Sequence, residues 1–287
     1  MTPFIIHKVY ICRISLAWSK WKLLVTLREE FYGSGEDDSP GSLLERVFLP
    51  RIGLIYAIQA GINAYGSYNK GFDPFEASTS LQEFNQPFKP LISATWETGI
   101  KAAFLDNRLY TSFALYSMTV QNVAVNAQDI SNPNLFVQQG ENRSNGLEAE
   151  VSGKLLPSLD VMLAYAYDVA KVTKSDVASQ IGMLTENAPR NSGSGWIKYT
   201  FLRAALKGFG ASAGYTFAGQ RNTLDPGTTL PGYIVFTGGL HYVHKHITLA
   251  LNLNNITNKT YWTSAYNNIY KWPGEPGNYM VNLGWRF

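Results

Sequence analysis

The chain ends Tyr279-Met280-Val281-Asn282-Leu283-Gly284-Trp285-Arg286-Phe287. Tyr279, Val281, Leu283, Trp285 and Phe287 alternate with Met280, Asn282, Gly284 and Arg286. Alternate residues of a strand share a face, so this segment has one oily face and one mostly polar or small one. The same period recurs upstream. Ile247, Leu249, Leu251 and Leu253 alternate with Thr248, Ala250, Asn252 and Asn254. Phe209, Ala211, Ala213, Tyr215 and Phe217 alternate with Gly210, Ser212, Gly214 and Thr216. Trp96, Thr98, Ile100, Ala102 and Phe104 alternate with Glu97, Gly99 and Lys101. No window of similar length carries a helical stripe.

The period predicts strands at 4–17, 20–32, 46–58, 61–71, 93–104, 107–119, 143–155, 158–171, 189–201, 207–219, 232–243, 246–255 and 277–287. Their connections sort by length. Short ones fall at Ser19, Gln59-Ala60, Leu105-Asp106, Pro157, Leu202 to Leu206 and His244-Lys245. Long ones cover Gly33 to Glu45, Phe72 to Ile92, Val120 to Asn142, Val172 to Ala188, Gln220 to Pro231 and Ile256 to Pro276. Short turns alternating with long loops are the layout of an all-β, antiparallel up-and-down transmembrane β-barrel, with the turns periplasmic and the loops outside. A soluble β-sandwich would carry more surface charge and rarely sorts its connections so regularly. Thirteen is odd, whereas bacterial single-chain barrels use even numbers. Either one more strand is present, or closure needs strands beyond these.

Composition agrees. Of 287 residues, 45% are hydrophobic but only 16% charged, and there are 7 Trp, 17 Tyr and 15 Phe. A soluble domain is normally about one-quarter charged, and a disordered chain has few aromatics. The net charge of +3 is too small to point to nucleic acid. The single cysteine, Cys12, excludes a disulfide framework and a cysteine-based zinc site. No apolar run reaches the roughly 18–20 residues of a membrane-spanning helix. At the N-terminus, His7, Lys8 and Arg13 interrupt the apolar residues and no small-residue cleavage site follows. That stretch reads as a strand rather than an export signal, which leads us to expect a fragment of a longer exported protein.

Several strands carry more than a period. The run Pro50-Arg51-Ile52-Gly53-Leu54-Ile55-Tyr56 precedes Ala64-Tyr65-Gly66-Ser67-Tyr68-Asn69-Lys70-Gly71-Phe72-Asp73-Pro74. Trp96-Glu97-Thr98-Gly99-Ile100-Lys101, Asn107-Arg108-Leu109, Ala114-Leu115-Tyr116 and Asn142-Arg143-Ser144-Asn145-Gly146-Leu147-Glu148-Ala149-Glu150 follow. Next come Ala188-Pro189-Arg190-Asn191, Leu230-Pro231-Gly232-Tyr233 and the stretch Leu251 to Trp262. Gly274-Glu275-Pro276 and the terminal Trp285-Arg286-Phe287 close the series. Each motif is weak alone. In this order, from about residue 46 to 287, the set resembles the barrel of TonB-dependent siderophore receptors of the ferrichrome and ferripyoverdine kind. One departure is that Gly277-Asn278 follows Pro276, where the family usually has Arg.

The resemblance implies that residues 1–287 are about 13 C-terminal strands of a barrel of about 22, with the plug domain and signal peptide not present. It implies an outer-membrane receptor for ferric siderophore uptake driven by TonB, and a transporter rather than an enzyme. Its partners would be the ferric siderophore, the TonB complex through the missing N-terminal region, outer-membrane lipid and the barrel assembly machinery, with no nucleic acid. Phe287 resembles the signal read by that machinery, and it also continues the oily face of its strand. No cofactor is expected, because the iron would arrive already chelated. The alternatives are a smaller passive porin-like barrel and an inert receptor remnant. Free strand edges are intolerable in lipid, so the isolated chain is expected not to transport.

Tyr261, Trp262, Tyr266, Tyr270 and Trp272 crowd the loop after Asn255. In the resembling receptors, aromatics near the outer mouth contact the siderophore, and flat rings suit catecholate, hydroxamate or chromophore groups. The competing role is an upper aromatic girdle. Tyr65 and Tyr68 have opposite parity, so at most one faces the lumen. Glu97, Lys101, Glu148 and Glu150 sit on polar faces and read as a charged lumen wall rather than acid–base catalysts. His241, His244 and His246 fall at a short turn without acidic or Cys partners nearby, which favours a structural role over a metal site. Glu36-Asp37-Asp38 reads as a solvated loop. The Asn-x-Ser/Thr triplets at Asn142, Asn255 and Asn258 read as chance. No P-loop, dinucleotide fingerprint or catalytic triad is present.

Overall fold

A computed structural model describes residues 3–36, 43–73, 89–126, 136–175, 177–223, 227–265 and 268–286. The strands are β1 (Pro3–Trp18), β2 (Trp21–Glu36), β3 (Leu43–Gln59), β4 (Ile62–Asp73), β5 (Leu91–Phe104), β6 (Leu109–Asn126), β7 (Phe136–Leu156), β8 (Leu159–Lys174), β9 (Asn191–Thr200) and β10 (Phe209–Ala218). They continue with β11 (Arg221–Asn222), β12 (Thr229–Leu230), β13 (Tyr233–His244), β14 (Ile247–Asn254), β15 (Trp262–Ala265), β16 (Lys271–Pro273) and β17 (Asn278–Trp285). Thirteen form one antiparallel sheet in the order β1 to β10, β13, β14, β17. The remaining four make two small hairpins, β11–β12 and β15–β16. Every strand of the sheet pairs with its neighbour in sequence, apart from the inserted hairpins, as an up-and-down wall requires. Among the described residues there is no α-helix, only two 3-10 turns at Ala178–Gln180 and Ala204–Leu206.

Contacts group the chain into two compact units. One comprises Met1–Gly99, Leu115–Asn145 and Val169–Leu184; the other comprises Ile100–Ala114, Gly146–Asp168 and Thr185–Phe287.

In the first unit, register shows how the alternation is used. Ile14, Val25, Ile52 and Tyr68 lie opposite one another across β1 to β4. The adjacent row is Arg13, Thr26, Arg51 and Asn69. One row is oily and the next polar, so the two rows must point to opposite faces. The oily face exposes Tyr10, Ile14, Leu16, Leu27, Phe48, Ile52 and Leu54. An apolar surface of that extent on a water-soluble protein would drive association; on a barrel wall it meets lipid. Aromatics mark its two ends. Trp21 packs on Tyr56 beside the short turns, and Tyr68 packs on Trp96 nearer the long loops, each pair with ring centroids 4.6 Å apart. Such belts sit at the two membrane–water interfaces.

The second unit repeats the pattern. Val161, Ile197, Ala213, Gly238, Leu253 and Tyr279 form one row across six strands. Asp160, Lys198, Ser212, Gly239, Asn252 and Met280 form the next.

The short turns need left-handed backbone. Ser19, Gly61 and Lys245 have φ of 50°, 78° and 48°, and Leu105, Asp106 and Asn107 lie at 55°, 56° and 61°. Gly153 is required twice over. Its φ is +131°, and a Cβ there would run into the Arg108 carbonyl oxygen, which accepts the Lys154 N–H at 2.7 Å.

Two differences from the sequence expectation concern the long loops. β2, β3, β6 and β7 run further than the period suggested, with β6 reaching Asn126 and β7 starting at Phe136. Beyond the lipid both faces meet water, so the oily/polar contrast fades while the ladder continues. The loops at 219–232 and 255–277 also contain the hairpins β11–β12 and β15–β16, whose arms of two to four residues are too short to show a period. Tyr266, Phe287, Asp37 and Asp38 lie outside the described residues.

Candidate functional site

Three long-loop segments of the second unit interlock beyond the strands. Glu186 bridges to Asn222 of β11, and the Asn187 N–H donates to the Asn222 carbonyl at 2.9 Å. Asn187 also grips Ala265 of β15: its Nδ2 donates to the Ala265 carbonyl at 3.0 Å, and its Oδ1 accepts the Ala265 N–H at 2.9 Å. Ala265 and Leu230 of β12 are fully buried beneath this junction. Arg221 of β11 completes it. Its Nη2 donates to the Trp262 carbonyl at 2.7 Å, and its guanidinium lies 5.2 Å from the Tyr233 ring centroid. Arg221 is buried and its Nε has no partner. It is held by a carbonyl and a π face rather than a carboxylate.

The loop leaving β14 is braced by two asparagines. Asn255 and Asn258 have φ of 44° and 47°, a conformation asparagine tolerates better than most residues. Asn255 Nδ2 donates to the carbonyls of Lys259 and Glu275 at 2.8 and 3.0 Å, and its Oδ1 accepts the Lys259 N–H at 2.9 Å. Asn258 Oδ1 accepts the Gly277 N–H at 2.8 Å.

This frame divides the loop aromatics. Tyr261 packs on Tyr233 at 4.5 Å and covers Gly274, where any Cβ would strike its ring. Trp262 is half-buried, with its carbonyl held by Arg221 and Lys271 Nζ 5.9 Å from its ring centroid. Both belong to the frame. Tyr270 and Trp272 are presented by it, 64% and 55% exposed, next to Ile269 at 83%. Tyr261 and Trp262 are thus held within the loop frame, whereas Tyr270 and Trp272 are exposed on the same loop. A braced hairpin with exposed rings suits flat or aromatic ligand groups at low ordering cost. Arg221 and Asn187 were not singled out from sequence. The only hint was the Ala188-Pro189-Arg190-Asn191 motif beginning one residue after Asn187.

The polar-face residues are placed as their parity demands. In the first unit, Tyr65 Oη donates to Glu97 Oε1 at 2.6 Å, while Tyr68 turns to Trp96 on the oily face. In the second, Glu148 and Glu150 line an open cleft of about 230 Å³ with Ser112 and Ser192. The histidines have separate structural partners. His241 Nε2 hydrogen-bonds Thr200 Oγ1 at 3.0 Å, His246 Nδ1 meets the Arg286 carbonyl at 2.8 Å, and His244 stacks on Tyr242. Among the described residues no group of three His, Cys, Asp or Glu is arranged to hold a metal.

A lipid-facing antiparallel wall with braced loops at one end defines an outer-membrane β-barrel protein. The profile of the family described as TonB dependent receptor-like, beta-barrel, matches residues 13–256, and the chain belongs to that family. It is 31% identical over 277 residues to the metal-pseudopaline receptor CntO of Pseudomonas aeruginosa strain UCBPP-PA14, covering 92% of this chain and 38% of that protein. It is 27% identical over 264 residues to the ferric-pyoverdine M114 receptor PbuA of Pseudomonas sp. strain M114, covering 88% of this chain and 31% of that one. Among solved structures it resembles P. aeruginosa FpvA bound to a heterologous pyoverdine, with a TM-score of 0.83 at 21% identity over 97% of this chain and 38% of that chain. It also resembles the ferric-catecholate import receptor Fiu of E. coli K12 in its closed form, with a TM-score of 0.81 at 21% identity over 98% of this chain and 44% of that chain. The structural likenesses establish the fold alone. The chain spans less than half the length of each of these proteins.

Proposed function

We propose that this chain is the barrel-wall portion of a receptor that imports a chelated metal of the siderophore class across the outer membrane, energised through TonB. The carrying observation is the braced β15–β16 hairpin, which holds Tyr270 and Trp272 exposed on a loop fixed by Asn187 and Arg221. The names of the relatives support the ligand class: one receives metal-pseudopaline, another ferric-pyoverdine. On this reading residues 1–287 are one partial barrel domain and the metal arrives as cargo within its chelate. The protein performs no bond-making chemistry on it; the relatives are transport receptors. Tyr261 and Trp262 brace the loop, while Tyr270 and Trp272 meet the ligand. Tyr266, on the same loop, joins them as a candidate contact, and Phe287 serves outer-membrane assembly.

The test is ligand binding by the product of the open reading frame that carries this chain, purified in detergent. Tryptophan quenching is followed while ferric hydroxamate, catecholate and carboxylate chelates are titrated. Saturable binding of one class, weakened by Trp272→Ala, supports the reading. Equal, non-saturable response to every chelate contradicts it and favours a passive pore.

A further inference from the structure

Two short turns of the second unit enclose a cleft at the end of the wall away from the loop platform. The β9–β10 turn carries Phe201, Leu202, Arg203 and Lys207, and the β13–β14 turn begins at His244 and Lys245. Backbone bonds lock the turns side by side. The Gly208 N–H donates to the Phe201 carbonyl at 2.9 Å, and the Gly208 carbonyl accepts the Val243 N–H at 2.8 Å. A Cβ on Gly208 would collide with the Val243 carbonyl oxygen, and its φ is +87°, so the close approach needs glycine. The result is an open cleft of about 660 Å³ whose lining includes Phe201, Lys207, Tyr242, His244 and Lys245.

The strands set its depth. β13 has 12 residues, and about 9–11 tilted residues cross the hydrocarbon, so Tyr242 near its end falls at a membrane–water boundary. Short turns mark the periplasmic side. Phe209, Tyr242, Leu249 and Leu283 form one row, and Ala211, Leu240, Leu251 and Val281 form the next row on the same face. Tyr242, Leu249, Leu283, Leu240 and Val281 are exposed. The cleft therefore lies where an oily, lipid-facing surface gives way to two basic turns. Residues 201–208 and 242–247 contain Arg203, Lys207 and Lys245 and no Asp or Glu. All three cations are exposed. Among the described residues of this unit, the ion pair joins Lys154 to Asp160 and involves none of them.

We propose that this cleft binds the headgroup of an anionic glycerophospholipid in the periplasmic leaflet. Lys207 and Lys245 hold the phosphodiester, His244 can add a ring N–H, and the acyl chains lie along the oily rows through Tyr242 and Leu240. Lysine suits this depth: its apolar stem follows the wall while the ammonium reaches the headgroups, and each such charge adds to the attraction for anionic lipid. The charge balance also sets a preference. A zwitterionic headgroup would bring its ammonium to turns that hold no carboxylate to receive it, so phosphatidylglycerol is favoured over phosphatidylethanolamine. The site requires only a barrel in the outer membrane and does not depend on what that barrel transports.

The test is native mass spectrometry of the detergent-purified product of the open reading frame, titrated with phosphatidylglycerol or with phosphatidylethanolamine of the same acyl chains. Saturable binding of phosphatidylglycerol, tighter than that of phosphatidylethanolamine, is expected. Lys207→Gln/Lys245→Gln should lower phosphatidylglycerol affinity about tenfold or more and bring the two lipids close to parity. Lys20→Gln is the control. It removes a positive charge at the β1–β2 turn, where Lys20 donates to the Ile58 carbonyl at 3.3 Å, and should leave the affinity unchanged. Heat-modifiable electrophoresis checks that the double variant folds; if it does not, Lys207→Gln alone replaces it, with an expected loss of several-fold. sn-Glycerol 1-phosphate, which has the phosphate without the chains, should not displace the lipid even in large excess. Equal affinity for the two lipids in the unaltered protein, unchanged affinity in the glutamine variants, or an equal loss from Lys20→Gln overturns the proposal. Displacement by glycerol phosphate also overturns it, because the cleft would then be a site for free phosphate.

Discussion

Asn187 and Ala265, 78 residues apart, are joined at both polar atoms of the asparagine amide, with Nδ2 donating to the carbonyl at 3.0 Å and Oδ1 accepting the N–H at 2.9 Å. This two-point clasp ties the segment entering β9 to the buried end of β15. Asn187→Ala strands a buried N–H and carbonyl, and each unsatisfied group costs about 1–3 kcal/mol. It also puts alanine at a φ of 55°. Hydrogen exchange at the Ala265 amide should speed up by at least about tenfold, with the β9–β10 ladder unchanged. Unaltered exchange would mean the clasp holds nothing.

Arg221 offers a contrast between charge and shape. It is buried with one carbonyl partner and one ring. Replacing a poorly paired buried charge by an apolar side chain of similar length is often close to neutral. Arg221→Met should therefore cost less than about 2 kcal/mol, and Arg221→Ala more, because it also opens a void. Limited proteolysis between residues 262 and 273 measures this: the alanine variant should be cut fastest.

The loop aromatics should separate into two groups. Tyr270→Ala and Trp272→Ala remove exposed rings, so stability should change by less than about 0.5 kcal/mol while chelate affinity falls about tenfold. Tyr261→Ala removes a ring packed on Tyr233 and over Gly274. It should cost about 3 kcal/mol and disturb the loop whether or not ligand is present. Thermal unfolding and quenching titrations on the three variants check both halves.

Gly153→Ala should be strongly disruptive at the short-turn end. It meets both a φ of +131° and the Arg108 carbonyl, so the destabilisation should exceed about 1 kcal/mol. Loss of the folded, heat-modifiable band in electrophoresis is the expected result. The neighbouring exposed Leu155→Ala should leave that band in place.

All thirteen strands of the sheet were legible because lipid imposes a contrast that water does not. Ile14 and Arg13 are adjacent and must point oppositely, and the rows through Val161 and Asp160 in the second unit repeat that demand. The contrast is missing at the far ends of β6 and β7, where water meets both faces, and the period stops short of the ladder there. The candidate site was legible only as a crowd of aromatics. Composition cannot separate Trp262, whose carbonyl is tied to Arg221, from Trp272, which stands clear. That difference arises from contacts 41 residues apart. Arg13, Thr26 and Arg51 likewise become one row only once the register of three strands is known.

The decisive experiment follows radiolabelled ferric chelate into cells that lack other receptors and express the open reading frame carrying this chain, with and without TonB. Accumulation that requires TonB and falls in the Trp272→Ala variant is the predicted result. Accumulation indifferent to TonB, with ion conductance through the purified protein in a bilayer, would contradict it and leave a passive barrel.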